Sequence, residues 1–270
     1  MPSTVRQATH TLRAGVPTLS YACHLPEPRP GRPHRAALIA HPWRRLGGSK
    51  DDHVVVALAE MLADEGYAVV RFDARGSTWT GAAEAADFRE LVDDLVLPLL
   101  FPDSEVPAPS RPPNTFTPEP AEPFEILLCG YSFGSLAASS CPPPSPPPSL
   151  PHAQLRTSYL LISYPLSVLW ALTSLHSGPP TSALHSLVAR GENRVLALHG
   201  DKDDFSAIDK LRTWVAGLEV ASAVKGMWRA VEVEGADHFW RDGRKKREML
   251  ETVREWVRGG HGGRHDGASQ

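Results

Sequence analysis

The sequence predicts an α/β domain, a mostly parallel sheet with helices on both faces. Three observations carry that expectation. Short apolar runs such as Ala36–Ala40, Ala68–Phe72 and Ser158–Ser163 are too short for core helices and read as strands buried on both sides. Segments with apolar residues at helical spacing alternate with them, the pattern of parallel strands joined by helical crossovers. One apolar run, Ile126–Cys129, leads into Gly130-Tyr131-Ser132-Phe133-Gly134 and out into the small residues Ser135 to Ala138. That is a strand, a sharp turn and a helix start. A chain of 270 residues suits one such domain, here placed at 1–258 with a disordered tail at 259–270.

The elements follow in order. Thr18 to Leu25 alternates, with Leu19, Tyr21, Cys23 and Leu25 on one side, and predicts a half-buried strand. The proline- and glycine-rich stretch 26–33 turns the chain into the Ala36–Ala40 strand. His41-Pro42-Trp43 and a loop to Gly47-Gly48 follow. Ser49, with Asp52 three residues later, is the expected cap of a helix carrying Val55, Leu58, Met61 and Leu62, closed by Gly66. After the strand at 68–72, Phe88, Leu91, Val92 and Leu95 predict a second helix ending near Pro98. Strand 158–163 precedes a short helix at 168–174 bearing Trp170, in a stretch, 165–193, where a small cap could form. Arg194 to Gly200 predicts a strand, and Ile208 to Leu218 a helix. Trp228 to Val233 is the last strand, and Met249, Leu250, Val253, Trp256 and Val257 mark the final helix.

Two stretches break the pattern, at about 102–123 and 142–151. They hold 15 of the 26 prolines. Proline lacks an N–H and clashes inside helices, so neither is core strand or helix. Both read as surface insertions, and 142–148 has the composition of a polyproline ligand for a protein partner. The net charge of −3 gives no basic surplus for nucleic acid or an anionic membrane. Three cysteines cannot all pair and fit a reducing compartment. Without an apolar leader or a membrane-length apolar run, the expectation is a cytoplasmic protein. No metal or organic cofactor is expected; His261 and His265 in the tail read as solvated.

The chemistry gathers at Ser132. A serine hydroxyl is a weak nucleophile until a base removes its proton and a carboxylate orients that base. Glycines on either side let strand and helix pass closely, and the helix start favours developing negative charge. In this topology the acid and then the base follow the serine in sequence. His238, in Glu234-Gly235-Ala236-Asp237-His238-Phe239-Trp240, stands between the last strand and the final helix. The acid candidates are Asp201, Asp203 and Asp204, with Asp203 favoured by the length of loop available to swing toward His238. The backbone N–H groups of Phe133 and Trp43 are the expected oxyanion donors, since Pro42 has none. His41 and His199 read as loop-shaping and strand-end residues. Trp43, Phe133, Trp170, Phe205 and Phe239 are candidates for an apolar substrate pocket.

These segments together resemble the α/β-hydrolase superfamily. The carriers are Gly130-Tyr131-Ser132-Phe133-Gly134, His199-Gly200-Asp201-Lys202-Asp203 and Gly235-Ala236-Asp237-His238. Ala40-His41-Pro42 with Gly47-Gly48, and Arg71 to Gly76, resemble the small predicted serine hydrolases with a His-Pro…Gly-Gly loop, although Trp43-Arg44 stands where these often have a second His-Pro. The resemblance runs from about Leu19 to Val257 outside the insertions. It implies a serine esterase acting on a carboxylic ester or thioester through Ser132, Asp203 and His238. The other function class is a non-enzymatic scaffold of the same fold that binds a ligand or partner.

Overall fold

The computed structural model describes residues 4–13, 18–27, 34–75, 82–101, 123–168 and 178–260. Among these, eight strands form one sheet: β1 (Thr4–Thr11), β2 (Thr18–Leu25), β3 (Arg35–Ala40), β4 (Tyr67–Phe72), β5 (Phe124–Tyr131), β6 (Leu155–Ile162), β7 (Arg194–Lys202) and β8 (Trp228–Asp237). Their order is β1-β2-β4-β3-β5-β6-β7-β8. β1 and β2 are antiparallel to each other, and β2 to β4; every later pairing is parallel.

The helices divide between two faces. On one face α1 (His53–Asp64) and α7 (Gly243–Gly259) cover Ile39, Leu127, Cys129, Leu160 and Leu196. On the other, α2 (Ala82–Leu91), α3 (Leu97–Leu100), α4 (Gly134–Ser140), α5 (Gly178–Arg190) and α6 (Ile208–Ala221) cover Leu38, Val70, Leu128 and Leu161. Period-two alternation along each strand feeds both cores, which is why the central strands read as unbroken apolar runs.

The structure departs from the sequence-based expectations at β1 and at the first two helices. The strand β1 was not anticipated. Its sequence, Thr-Val-Arg-Gln-Ala-Thr-His-Thr, is almost wholly exposed, so it pairs with β2 through backbone alone and leaves no apolar stripe to detect. The first helix is capped by Asp52, which accepts from the Val54 N–H at 2.8 Å, not by Ser49. Lys50 and Asp51 are instead held by Arg71 and Asp73, which pushes the helix start three residues on. The second helix does not stop at Pro98. A π-helical stretch, Val92–Val96, widens the ladder just before it, and Pro98 enters in the first turn of α3, where its missing N–H costs little. In the stretch 165–193, where a small cap could form, lies the helix α5; Leu184, Leu187 and Val188 bury it in the core cluster that also holds α4, and Gly191 follows it at φ +62°.

The remainder of the expected short helix at 168–174, with Trp170, lies outside the described residues, as do 102–122, His261 and His265. The second proline-rich stretch is described and holds neither helix nor strand. It begins where the Tyr159 hydroxyl donates to the Cys141 carbonyl at 2.9 Å, and Pro144 is buried.

Candidate active site

The site forms at the carboxyl ends of β3, β5, β7 and β8. The chain leaves β5 through Ser132, whose φ is +53°, a conformation few side chains tolerate. Its N–H donates to the Ile162 carbonyl at 2.8 Å, and Ser135 Oγ donates to the Gly130 carbonyl at 2.8 Å, so the turn is pinned on both sides. The two flanking glycines have separate reasons. A Cβ at Gly130 would lie 2.3 Å from the Gly134 carbonyl oxygen, inside the helix that follows. A Cβ at Gly134 would lie 2.4 Å from the Ala40 oxygen, in β3. Gly134 thereby lets α4 sit against the end of β3, next to the loop that carries Trp43.

His238 Nε2 lies 2.8 Å from Ser132 Oγ, and its Nδ1 lies 2.7 Å from Asp203 Oδ2. A carboxylate only accepts, so Nδ1 carries the proton and Nε2 is left to accept from the serine hydroxyl. The other carboxylate oxygen, Oδ1, accepts the Phe205 N–H at 2.8 Å. The Asp203 side chain has no exposed surface and that of His238 2%. In such a setting an orienting hydrogen bond is held tightly. The other two acid candidates go elsewhere: Asp201 accepts from the Gly235 N–H and ties the β7 loop to β8, while Asp204 is exposed.

The N–H groups of Phe133 and Trp43 donate to no described residue. Their rings lie 6.3 Å apart. His41 shapes this loop. Its Nε2 accepts the Ala74 N–H at 2.9 Å, so its Nδ1 carries the proton and donates to the Pro42 carbonyl. Burial holds the imidazole below its ordinary pKa and keeps it neutral. Beneath the loop, Arg71 donates to the Lys50 carbonyl at 2.8 Å and to His24 Nε2 at 2.9 Å, and the Lys50 N–H donates to Asp73 at 2.8 Å. His199 is buried, with neither ring nitrogen hydrogen-bonded among the described residues.

Several residues around His238 were not singled out from sequence. The Tyr131 hydroxyl donates to the His238 carbonyl at 3.0 Å, and Ser163 Oγ donates to the same carbonyl at 3.3 Å. Trp240 Nε1 donates to Ser163 Oγ at 3.0 Å. Ser163 and Trp240 have φ of +50° and +54°, and with Ser132 they are the non-glycine residues of positive φ among those described. Strained backbone is thus concentrated in the shell that fixes His238. Phe205 covers the imidazole at 4.4 Å between centroids, and Phe239 meets both rings edge-on. Tyr131 occupies a variable position of its motif and Ser163 follows an ordinary apolar run, so neither carried a signal.

A strained serine between a parallel strand and a short helix, with an acid after β7 and a histidine after β8, sits on a sheet whose first two strands are antiparallel. The fold is that of the α/β hydrolases. Solved structures of that fold superpose over nearly the whole chain. An α/β serine hydrolase without a lid, from Xanthomonas campestris, is 21% identical with a TM-score of 0.62, covering 96% of both chains. The esterase domain of a Rhodothermus marinus protein is 19% identical with a TM-score of 0.60, covering 95% of this chain and 98% of that one. Est1E from Butyrivibrio proteoclasticus is 15% identical with a TM-score of 0.62, covering 94% and 98%. No protein-family model and no curated protein matches the sequence. Among the described residues no helix is long and apolar enough to cross a membrane.

Proposed function

We propose that the protein is a serine hydrolase that cleaves a carboxylic ester or thioester through an acyl-enzyme. The observation that carries this reading is the continuous relay from Ser132 Oγ through both nitrogens of His238 to Asp203, at 2.8 and 2.7 Å. Ser132 Oγ attacks the acyl carbon while His238 Nε2 takes its proton. The resulting imidazolium is stabilised by Asp203, itself held by the Phe205 N–H. The oxyanion accepts from the N–H groups of Phe133 and Trp43, which have no other acceptor among the described residues. His238 then returns the proton to the leaving oxygen or sulfur, and the acyl group remains on Ser132. Water, deprotonated by the same imidazole, attacks the acyl carbon and releases the acid.

The aromatic surroundings favour an acyl or alkyl group with an apolar face. Trp43 and Phe133 stand on the oxyanion side, and Phe205 and Phe239 on the imidazole side. A second structure of Est1E, with ferulic acid bound, superposes on this chain with a TM-score of 0.58 at 14% identity over the aligned residues. That aromatic acid adds support for an aromatic or acyl ester here. The test is turnover of p-nitrophenyl esters across acyl lengths by wild type and His238→Ala. Activity that the substitution abolishes supports the hydrolase. No turnover at any length would favour a scaffold that kept the fold.

A further inference from the structure

The opposite end of the sheet holds a second concavity. β5 and β6 pair from Phe124 and Leu155 onward, but β7 joins β6 only from Ser158 and Arg194. The first residues of β6 therefore extend beyond β7 at the amino edge of the sheet. A cavity of about 450 Å³ opens at this step, walled by the last turn of α7. That is the volume of a small-molecule site.

Its polar lining is unbalanced. Strand alternation puts Glu125, Ser158 and Arg194 on the same face as Leu127, Leu160 and Leu196. Glu125 is neutralised by Arg35 at 2.9 Å, and Glu192, at the rim, is exposed and solvated. Arg194 is half-buried. It stacks on Trp256 at 4.5 Å and donates from Nη2 to the Trp256 carbonyl at 2.8 Å, but among the described residues no carboxylate pairs with it. Tyr67 is only 4% exposed, and its hydroxyl has no hydrogen-bond partner among the described residues. Burial raises the Tyr67 pKa, so the hydroxyl remains a donor at neutral pH. Burial pulls Arg194 below its ordinary range, only partly offset by the Glu125 carboxylate on β5. The cavity thus presents a cation, a phenol hydroxyl and an indole face.

We propose that this cavity binds a small organic carboxylate, its anionic group held by the Arg194 guanidinium and the Tyr67 hydroxyl and its apolar body against Trp256. A guanidinium matches a carboxylate in geometry as well as charge. The site is independent of Ser132, which lies at the other end of β5.

Calorimetric titration of the full chain with benzoate, and with neutral benzamide, tests this. The expected result is benzoate binding at least about tenfold tighter than benzamide, weakened about 10- to 100-fold by Arg194→Gln and about three- to tenfold by Tyr67→Phe. Prior labelling of Ser132 with a fluorophosphonate leaves benzoate binding unchanged. Should Arg194→Gln fail to fold, Tyr67→Phe, which removes one unpartnered oxygen, decides the matter. The proposal is overturned if wild type does not bind benzoate, if benzamide binds equally, or if the folded variants bind as wild type does. Loss of binding on Ser132 labelling would place benzoate in the catalytic cleft and overturn it too.

Discussion

The Ser132, His238 and Asp203 groups at one end of the central strands and the Arg194 and Tyr67 groups at the other are partnered in opposite ways. At the carboxyl ends, Asp203 has a donor on each oxygen and His238 has a partner on each ring nitrogen and on its carbonyl. At the amino ends of the same sheet, Arg194 and Tyr67 keep donors that no described residue accepts. Groups satisfied by one another are fixed before any substrate arrives, which is what acyl transfer needs from its acid and base. Groups without a protein partner at the wall of an open cavity face solvent or whatever binds there. On the two proposals made above, a preorganised reaction site and a recognition site stand at opposite ends of one sheet.

The largest expected effect comes from breaking the relay. Ser132→Ala should lower kcat by about 10⁶, and Asp203→Asn by about 10⁴, because the amide favours the wrong tautomer of His238. Esterase kinetics with circular dichroism, to show that the fold survives, checks both. If Asp204→Asn costs as much as Asp203→Asn, the acid has been misassigned.

The next effect isolates a backbone group. Trp43 has φ −57°, which proline already requires. Trp43→Pro should therefore remove the N–H with little distortion and cost about 10²–10³ in kcat, whereas Trp43→Leu keeps the N–H and should cost far less in kcat while raising KM. Equal kcat for the two variants would remove Trp43 from the oxyanion site.

A third prediction concerns the loop's foundation. His24 accepts from Arg71 and has its pKa lowered to about 4, first by burial and then by Arg71. The unfolded imidazole takes its proton near 6.5. Unfolding therefore takes up a proton between those values, and stability, intact above pH 6.5, is lost as pH falls toward 4. Thermal melts across that window should show Tm falling, and His24→Gln should flatten the slope. The smallest effect is expected from Tyr131→Phe, which deletes one hydrogen bond to the His238 carbonyl and should reduce kcat by about five- to tenfold.

How legible this was in the sequence varied with the kind of signal. The strand, turn and helix around Ser132 could be read because glycine positions and apolar runs are local. Loop length favours Asp203, but β7 runs on to Lys202, so Asp203 meets His238 as the first residue past the strand. The strand β1 could not be read, because its pairing is carried by backbone and its side chains face water. The continuation through Pro98 was hidden because a π-helical turn has no side-chain signature. Tyr131, Ser163 and Trp240 act on His238 through contacts 75 to 107 residues distant in sequence. Only the folded sheet brings them together. The unpaired step between β6 and β7 is likewise a matter of register, to which composition is blind.

The most direct test of the central claim is intact-mass spectrometry after treatment with a fluorophosphonate. One adduct per chain, mapped to Ser132 by peptide sequencing and slowed strongly in His238→Ala, is the expected result. An adduct on another serine, or labelling of Ser132 at the same rate without His238, would contradict the account.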